Sequence, residues 1–445
     1  MAIGSFKLPN TAAVTPVDPD AWIRPTDWLS MPTIGTQEFI GLLAITDDDA
    51  NHIALACAGA YTVDWGDGTS QNIATGVVAQ HSYTYSAISA GTLSTRGYKQ
   101  VLVRVTPQAG QNLTAVSLQQ QNSILAKVHV TGWLDVAIKG SNITSLAIGG
   151  STVTNGMLEN VDIYSFGSIT SLNTLFNFCY SLQKVNLPST ASVTNFSYMF
   201  QNCIALRTIP LFSTVSGTNF EGMFNGCLTF RTMPLLDTSA ATNMSSMFTS
   251  CTNLTTIPLL NTVNNLNFSY MFQNCYRLES IPLLDTAKGT NFSYMFAGCQ
   301  TLTTIPLINT INNLNASNMF NLCYRLQYLP LLNTGKVTNF SDMFPYCLSL
   351  QQLPNFNTAL GTNFTRVFGT SVSITTSLAK GAFQGTRYAI SYNNMCLSQS
   401  AIVDIFNGLG TAVGAQTITV TNNPGRAALT APEILIATAK GFTVV

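Results

Sequence analysis

Three histidines, His52, His81 and His129, are the side chains of this 445-residue chain best suited to moving a proton near neutral pH. Catalysis would need one of them beside a nucleophile and an orienting group, or a pair of carboxylates facing each other across a cleft. His81 lies in His81-Ser82-Tyr83 and His129 in Val128-His129-Val130. Both segments read as strands, which gives the two rings structural roles. Asp64 and Asp67 could together hold a hard cation such as calcium, but Asp-Gly is also the commonest hairpin turn, and the turn is the preferred reading. Asp47-Asp48-Asp49 reads in the same way as a solvated loop. Asp237 and Asp285 occupy a repeated place held elsewhere by Ser213, Asn261 and Asn309, and a position open to Ser, Asn and Asp alike caps a turn. No catalytic residue, metal site or cofactor is expected.

Cysteine is the remaining reactive type. Eight of the ten, Cys179, Cys203, Cys227, Cys251, Cys275, Cys299, Cys323 and Cys347, follow one another at 24-residue intervals with no short C-x-x-C pair, so a tetrahedral metal site is not indicated. Side chains repeating on stacked coils about 4.8 Å apart form a column whose parallel Cβ atoms stand too far apart for disulfides. The expectation is buried, reduced thiols acting as small apolar residues.

The elements that position these columns are the coils of a repeat. Proline keeps the same beat from Pro210 to Pro354, and phenylalanine from Phe176 through Phe200, Phe224, Phe248 and Phe272 to Phe368. In the unit from Leu254 to Cys275, Leu254-x-x-Ile257-x-Leu259 has the spacing of a leucine-rich-repeat strand, with Pro258 restricting it to a very short strand or an extended segment. Phe268, Met271, Phe272 and Cys275 then fall on one face of a short helix or 3₁₀ turn. Asn195 to Asn363, at the same interval, read as a hydrogen-bonding ladder at the start of each such helix, and Thr214 to Thr358 likewise.

No coil can bury both halves alone, so stacking must stabilise the array and atypical ends must cap it. The predicted layout is a docking arm at 1–36, a small β-sandwich at 37–110, irregular capping coils at 111–174, a regular solenoid at 175–370 and capping repeats at 371–445. The fold class is an α+β repeat. In the arm, Trp22 to Trp28 reads as a docking segment or a strap across the sandwich. At the other end, a serine-capped helix near 397–406, a strand at 417–421, an Asn-Asn-Pro-Gly turn at 422–425, a helix near 432–440 and a strand at 442–445 are expected.

Two resemblances attach to these motifs. Tyr61-Thr62-Val63-Asp64-Trp65-Gly66-Asp67-Gly68-Thr69, His81-Ser82-Tyr83 and Val101-Leu102-Val103-Arg104-Val105 resemble a PKD-type domain over roughly 70 residues. The coil, with its L-x-x-I-P-L-L-[DN]-T body and MF-x-x-C end, resembles the BspA-type leucine-rich repeats over about residues 170 to 370, a family found on bacterial surfaces and in bacteriophage genomes. The 64–69 hairpin before such repeats, and the ending from Asn422 to Phe442, are also similar to phage-encoded structural proteins.

Charged residues make up only 9% of the chain, with 19 basic and 19 acidic, so the footprint of a nucleic-acid or anionic-membrane binder is missing. The longest apolar stretch, around Phe39 to Ile45, falls far short of the roughly 18–20 residues that cross a bilayer. The opening nine residues have neither a basic start nor an apolar run, so no secretory leader is read there. Recognition should use positions that vary between coils: Arg207, Arg231, Tyr276, Arg277, Tyr324, Arg325, Tyr328 and Tyr346, of the types enriched at binding hot spots. The same side chains would serve equally as solubilising edge residues. The leading expectation is a non-catalytic virion protein of a tail fibre, baseplate or head decoration. Its amino-terminal part would meet other virion proteins and its solenoid a host-surface glycan or protein; a homo-oligomer is compatible with this layout. A bacterial cell-surface adhesin is the alternative. Carbohydrate processing and ice binding by an interrupted threonine face rank lower.

Overall fold

The computed structural model describes residues 22–47, 51–125, 131–151, 153–350, 353–369 and 383–445. Asp48 and Asp49, the segment around His129, and the first 21 residues of the arm lie outside the described residues. The amino-terminal strands are β1 (Gln37–Ile45), β2 (His52–Ala58), β3 (Tyr61–Asp64), β4 (Ser70–Ile73), β5 (Ala79–Ser82) and β6 (Lys99–Pro107). The first coils add β7 (Ala115–Ser117), β8 (Trp133–Gly140), β9 (Ser145–Ala147), β10 (Asn160–Ser165) and β11 (Lys184–Asn186).

These eleven strands make two sheets, and both cross the boundary expected at 110. The larger has the order β11-β10-β8-β1-β6-β3-β4, and the smaller β5-β2-β7-β9. β1 pairs antiparallel with β6 on one side and with β8 on the other, while β8, β10 and β11 run parallel as successive coils. One hydrophobic core accordingly runs from Phe39 to Phe442. The separable dock and rod foreseen from composition give way to a sandwich fused to the first coils by shared strands.

Of the two readings of the arm, its described part is the strap. Trp28 is buried among Leu42, Ala44, Tyr98 and Leu134 on the outer face of the large sheet. Its indole donates to the Tyr98 hydroxyl at 2.9 Å, and the Gln100 side chain bonds both Leu29 N and Asp27 O, each at 2.9 Å.

From about residue 190 each coil has two arms, and neither is built as the spacing suggested. The first arm is extended but almost unpaired, with Thr304↔Tyr328 an isolated bridge. Its inward side chains are Leu254, Ile257 and Leu260, while Leu259 is 62% exposed. The inward residues are thus three apart, the period of a polyproline-II segment, in which Pro258 is at home and the backbone makes no internal bonds. The LxxIxL register is corrected to LxxIxxL for that reason.

In the second arm Phe268, Met271, Phe272 and Cys275 are all fully buried, as the spacing requires, but the backbone is not helical. It is a chain of β-turns: Met271 N bonds Phe268 O, Gln273 N bonds Tyr270 O, and Cys275 N bonds Phe272 O. Tyr270 and Asn274 sit in the left-handed region at φ 59° and 58°. That conformation turns Phe268, Tyr270, Phe272 and Asn274 N–H along the solenoid axis, where they bond Asn291, Ser293, Met295 and Ala297 O of the next coil at 2.7–3.0 Å. The α+β expectation is corrected accordingly. The chain is a mostly-β solenoid of about 12 turns, with the α-helices confined, among the described residues, to its carboxy-terminal end.

That end follows the sequence closely. β12 (Ile390–Ser391), β13 (Gln416–Thr419) and β14 (Phe442–Val444) form a parallel sheet. Helices α1 (Gln399–Gly408) and α2 (Ala431–Thr438) pack on each other behind it. Ser398 caps α1 and Thr430 with Glu433 forms a capping box on α2. In the turn, buried Asn423 accepts from Met395 N and Leu397 N at 3.0 Å and donates to Tyr392 O, stitching one coil to the last.

Because the core is continuous, sandwich and solenoid should unfold together. Phe272→Ala, about 3–5 kcal/mol destabilising as a fully buried aromatic truncation, is expected to lower in one step both the far-ultraviolet signal and the fluorescence of Trp65 and Trp133. A sandwich signal that persists after the solenoid has melted would contradict the shared core.

Candidate recognition surface

Side chains at equivalent places in successive coils form columns, and most columns are committed to holding the stack. The Phe200, Phe224, Phe248 and Phe272 rings lie 5.7–5.8 Å apart and within 11° of parallel, an offset stack continued to Phe344. Beside them each cysteine is free and buried. The thiols are not merely apolar filler: Cys203, Cys227, Cys251, Cys275, Cys299 and Cys323 donate to Phe176, Phe200, Phe224, Phe248, Phe272 and Phe296 O of the preceding coil at 3.0–3.2 Å. Burial pushes these thiols up, Cys323 to about 12, so they are not nucleophiles at neutral pH.

The polar columns do related work. Buried Thr214, Thr238, Thr262, Thr286, Thr310 and Thr334 each donate to a carbonyl of the next coil at 2.6–2.9 Å. That is the inter-coil ladder the sequence assigned jointly to threonine and asparagine. Asparagine acts within its own coil: Asn195, Asn243, Asn267 and Asn291 accept from the amide two residues on at 3.0–3.1 Å, starting the turn chain. Asp237 and Asp285 cap turns in the same way, at 3.0 Å from Ser239 N and Ala287 N.

In the amino-terminal hairpin Asp64 Oδ1 accepts from Gly66 N and Asp67 Oδ1 from Thr69 N, both at 3.0 Å, and Asp67 Oδ2 lies 2.7 Å from His81 Nε2. His81 stacks on Trp65 at 4.9 Å, and the Tyr83 hydroxyl donates to Trp65 O at 2.9 Å. The motif residues therefore lock one another, with their oxygens turned to hairpin donors. Burial alone would raise the Asp67 carboxyl, but Thr69 and His81 hold it below the usual carboxylate value.

The eight residues expected to recognise a partner fall on one arc of the coil. Relative to the cysteine, Tyr346 precedes it by one, Tyr276 and Tyr324 follow by one, Arg277 and Arg325 by two, Arg207 and Arg231 by four, and Tyr328 by five. All are exposed except half-buried Tyr324. In the column of Arg277 and Arg325, the Thr229, Asn253 and Thr301 side chains bond carbonyls of the preceding coil, but no one residue type repeats along the arc.

Sequence reasoning missed a second polar region, on the outer face of the large sheet. Three buried carboxylates there are each answered by an arginine: Asp135 by Arg24 at 2.7 Å, Glu159 by Arg96, and Glu38 by Arg104. Trp22 also donates to Glu159 at 3.1 Å. A cavity of about 400 Å³ opens beside the strap between Met31, Pro32, Lys139, Asp162 and Tyr164. Arg24 inside the WIRPTDW strap was the available signal, but its partner lies 111 positions away.

Comparison with known proteins gives the repeats a family. The family described as "Mycoplasma protein of unknown function, DUF285" matches residues 151–258, 233–330 and 290–401, together more than half of the chain. The leucine-rich-repeat protein of T. pallidum is 16% identical over 48% of this chain and 84% of its own, with a TM-score of 0.27. The TLR13–ssRNA13 complex is 14% identical over 65% of this chain and 47% of its own, with a TM-score of 0.23. No curated protein matches.

Two outcomes follow from the buried columns and the hairpin. With nine cysteines buried and Cys396 exposed, an aromatic disulfide reagent should titrate one thiol in the native protein and ten after denaturation; fast modification of several native thiols would refute the sealed column. The Asp67 carboxyl, lowered on folding, stabilises fully above its ordinary value of 3.8, and that stabilisation is lost as pH falls below it. Asp67→Asn should therefore lower the melting temperature at pH 7 and flatten its decline on acidification below about pH 4; an unchanged acid limb would count against the assignment.

Proposed function

The chain belongs to the DUF285 family, and from its repeat geometry we propose that it is a non-catalytic recognition protein whose rigid solenoid presents the Tyr/Arg arc to a macromolecular partner. The carrying observation is the contrast between columns. The buried Phe, Cys and Thr columns repeat nearly unchanged, whereas the arc varies in size, charge and aromaticity from coil to coil. A frame cross-tied at every coil limits the ordering cost of binding, so a few exposed tyrosines and arginines suffice.

We place this recognition on a virion, with the solenoid meeting a host-surface glycan or protein and the amino-terminal part meeting other virion proteins. The support is the likeness of the 64–69 hairpin and of the 422–442 ending to phage structural proteins, together with the weakly charged exterior. We read the sandwich as PKD-like, on the interlock of Trp65, Asp67, His81 and Tyr83. The second reading, a bacterial cell-surface adhesin, is favoured by the family's description from Mycoplasma.

Immunogold microscopy with antibody against residues 170–445, on cells and on any particles they release, separates the two. Label on particles supports the virion reading, and label confined to the envelope replaces it with the adhesin. In either case Tyr276→Ala/Arg277→Ala and Tyr324→Ala/Arg325→Ala should each weaken adhesion of the purified chain to its labelled target by about tenfold or more with the melting temperature unchanged. Full adhesion by the combined variant would remove the arc from the proposal.

A further inference from the structure

Immediately after each array proline from Pro210 to Pro330 stands a leucine that faces solvent. Leu211, Leu235, Leu259, Leu283, Leu307 and Leu331 are 62–73% exposed, one per coil over six coils. The column is bounded at both ends, by half-buried Leu187 before it and by polar Asn355 after it. Single exposed leucines need no explanation, but a ridge of six in register does. It cannot serve coil stacking, because each coil already buries the neighbouring Leu236, Leu260, Leu284, Ile308 or Leu332 for that purpose.

We propose that this ridge is the contact through which two copies of the chain pair, ridge against ridge and antiparallel. Three features favour a second copy over another occupant. The first is commensurability: leucines recurring at the coil rise interdigitate along their whole length only with an array of the same rise, and a second copy has it by construction. The second is area. With coils about 4.8 Å apart and extended residues about 3.3 Å long, the ridge and its flanking Thr and Asx columns make a strip of about 30 by 15 Å. That matches the largest apolar patch of a typical monomer, which is often functional, and is over half of the roughly 800 Å² that each partner contributes to a standard-sized pair.

The third is charge. In the antiparallel arrangement Leu259 faces Leu283 of the partner subunit, and the flanking charges meet neutral residues: Arg231 lies across from the partner's Thr303, Glu279 from the partner's Thr255, and Asp237 from the partner's Asn309. Pairing in this way leaves the tyrosine and arginine columns next to the cysteine open on the outer flank.

Light scattering on the full chain across the micromolar range should show a dimer. Leu259→Asp/Leu283→Asp should weaken it by about a hundredfold or more, since four leucines leave the contact, and its melting temperature as a monomer should stay within a few degrees because both side chains are exposed. A chain that is monomeric throughout, or a dimer that survives this pair of substitutions, overturns the proposal. Orientation is read in a Cys396→Ser background. Leu211→Cys and Leu331→Cys chains should cross-link under oxidation when mixed and neither alone, whereas cross-linking of Leu211→Cys with itself overturns the antiparallel register.

Discussion

Everything regular in this molecule depends on the bond from one coil's amide to the next coil's carbonyl. Along the second arm every other N–H, as at Phe196, Tyr198, Phe200 and Asn202, is directed at the coil that follows. A helix would have used those amides internally and left neighbouring coils joined by side chains alone. The chain of β-turns instead closes its remaining amides within the coil and offers the alternate ones outward, so backbone bonding sets the spacing. The cost is one left-handed residue in every four, about 1–2 kcal/mol each for a side chain with a Cβ. Gly222, Gly226 and Gly298 avoid it, but Tyr198, Tyr270 and Tyr294 do not. Those tyrosines are held because neighbouring coils bond on both sides, and the Tyr270 and Tyr294 rings stack at 4.6 Å.

Once backbone bonding sets the spacing, side-chain chemistry follows. Equivalent residues must meet their own kind one coil away, which suits rings, thiols and hydroxyls and forbids charges, whose columns would repel. This is one reason why only 9% of the residues are charged. Two of the charges that do enter columns are matched by a neighbouring coil: Arg366 meets Asp342 at 2.9 Å, and Lys288 reaches Asn264 at 2.7 Å. The cysteine is selected by two demands together. It is a small apolar group in a fully buried site, and its thiol gives a second donor to a phenylalanine carbonyl that already accepts its own coil's cysteine N–H.

Much of this could be read from the sequence, and the parts that could not share a cause. The period, the buried set from Phe268 to Cys275, the turn-capping role of Asp237 and Asp285, and the carboxy-terminal helices all follow from patterns in which spacing and burial coincide. The backbone of the second arm did not follow, because i, i+3, i+4, i+7 is the spacing of a helix and equally of linked four-residue turns. The exposure of Leu259 was hidden by the assumption of strand alternation, which Pro258 had already undermined. The outer-face ion pairs were illegible for a different reason: Arg24 and Asp135 become neighbours only because β8 pairs with β1, and no local pattern announces an antiparallel join between a sandwich and a solenoid.

That join gives the amino-terminal sandwich its first role. The open end of a solenoid exposes unpaired strand edges and the cross-section of its core, and both invite association with other chains. β1 lies against β8 along nearly its whole length, and in the smaller sheet Ala56, Cys57 and Ala58 of β2 pair with β7. The sandwich thereby continues both sheets past the last coil and closes them with antiparallel hairpins. Three arginines then neutralise the carboxylates left on the outer face, and the strap covers the apolar remainder around Trp28. A domain that had only to dock could be tethered by a linker; one that must seal a core has to share strands with it, and this one shares strands in both sheets. Association through the open strands of that end is thereby suppressed, and the solenoid's own surface for partners is the flank, where the variable arc and the leucine ridge run side by side.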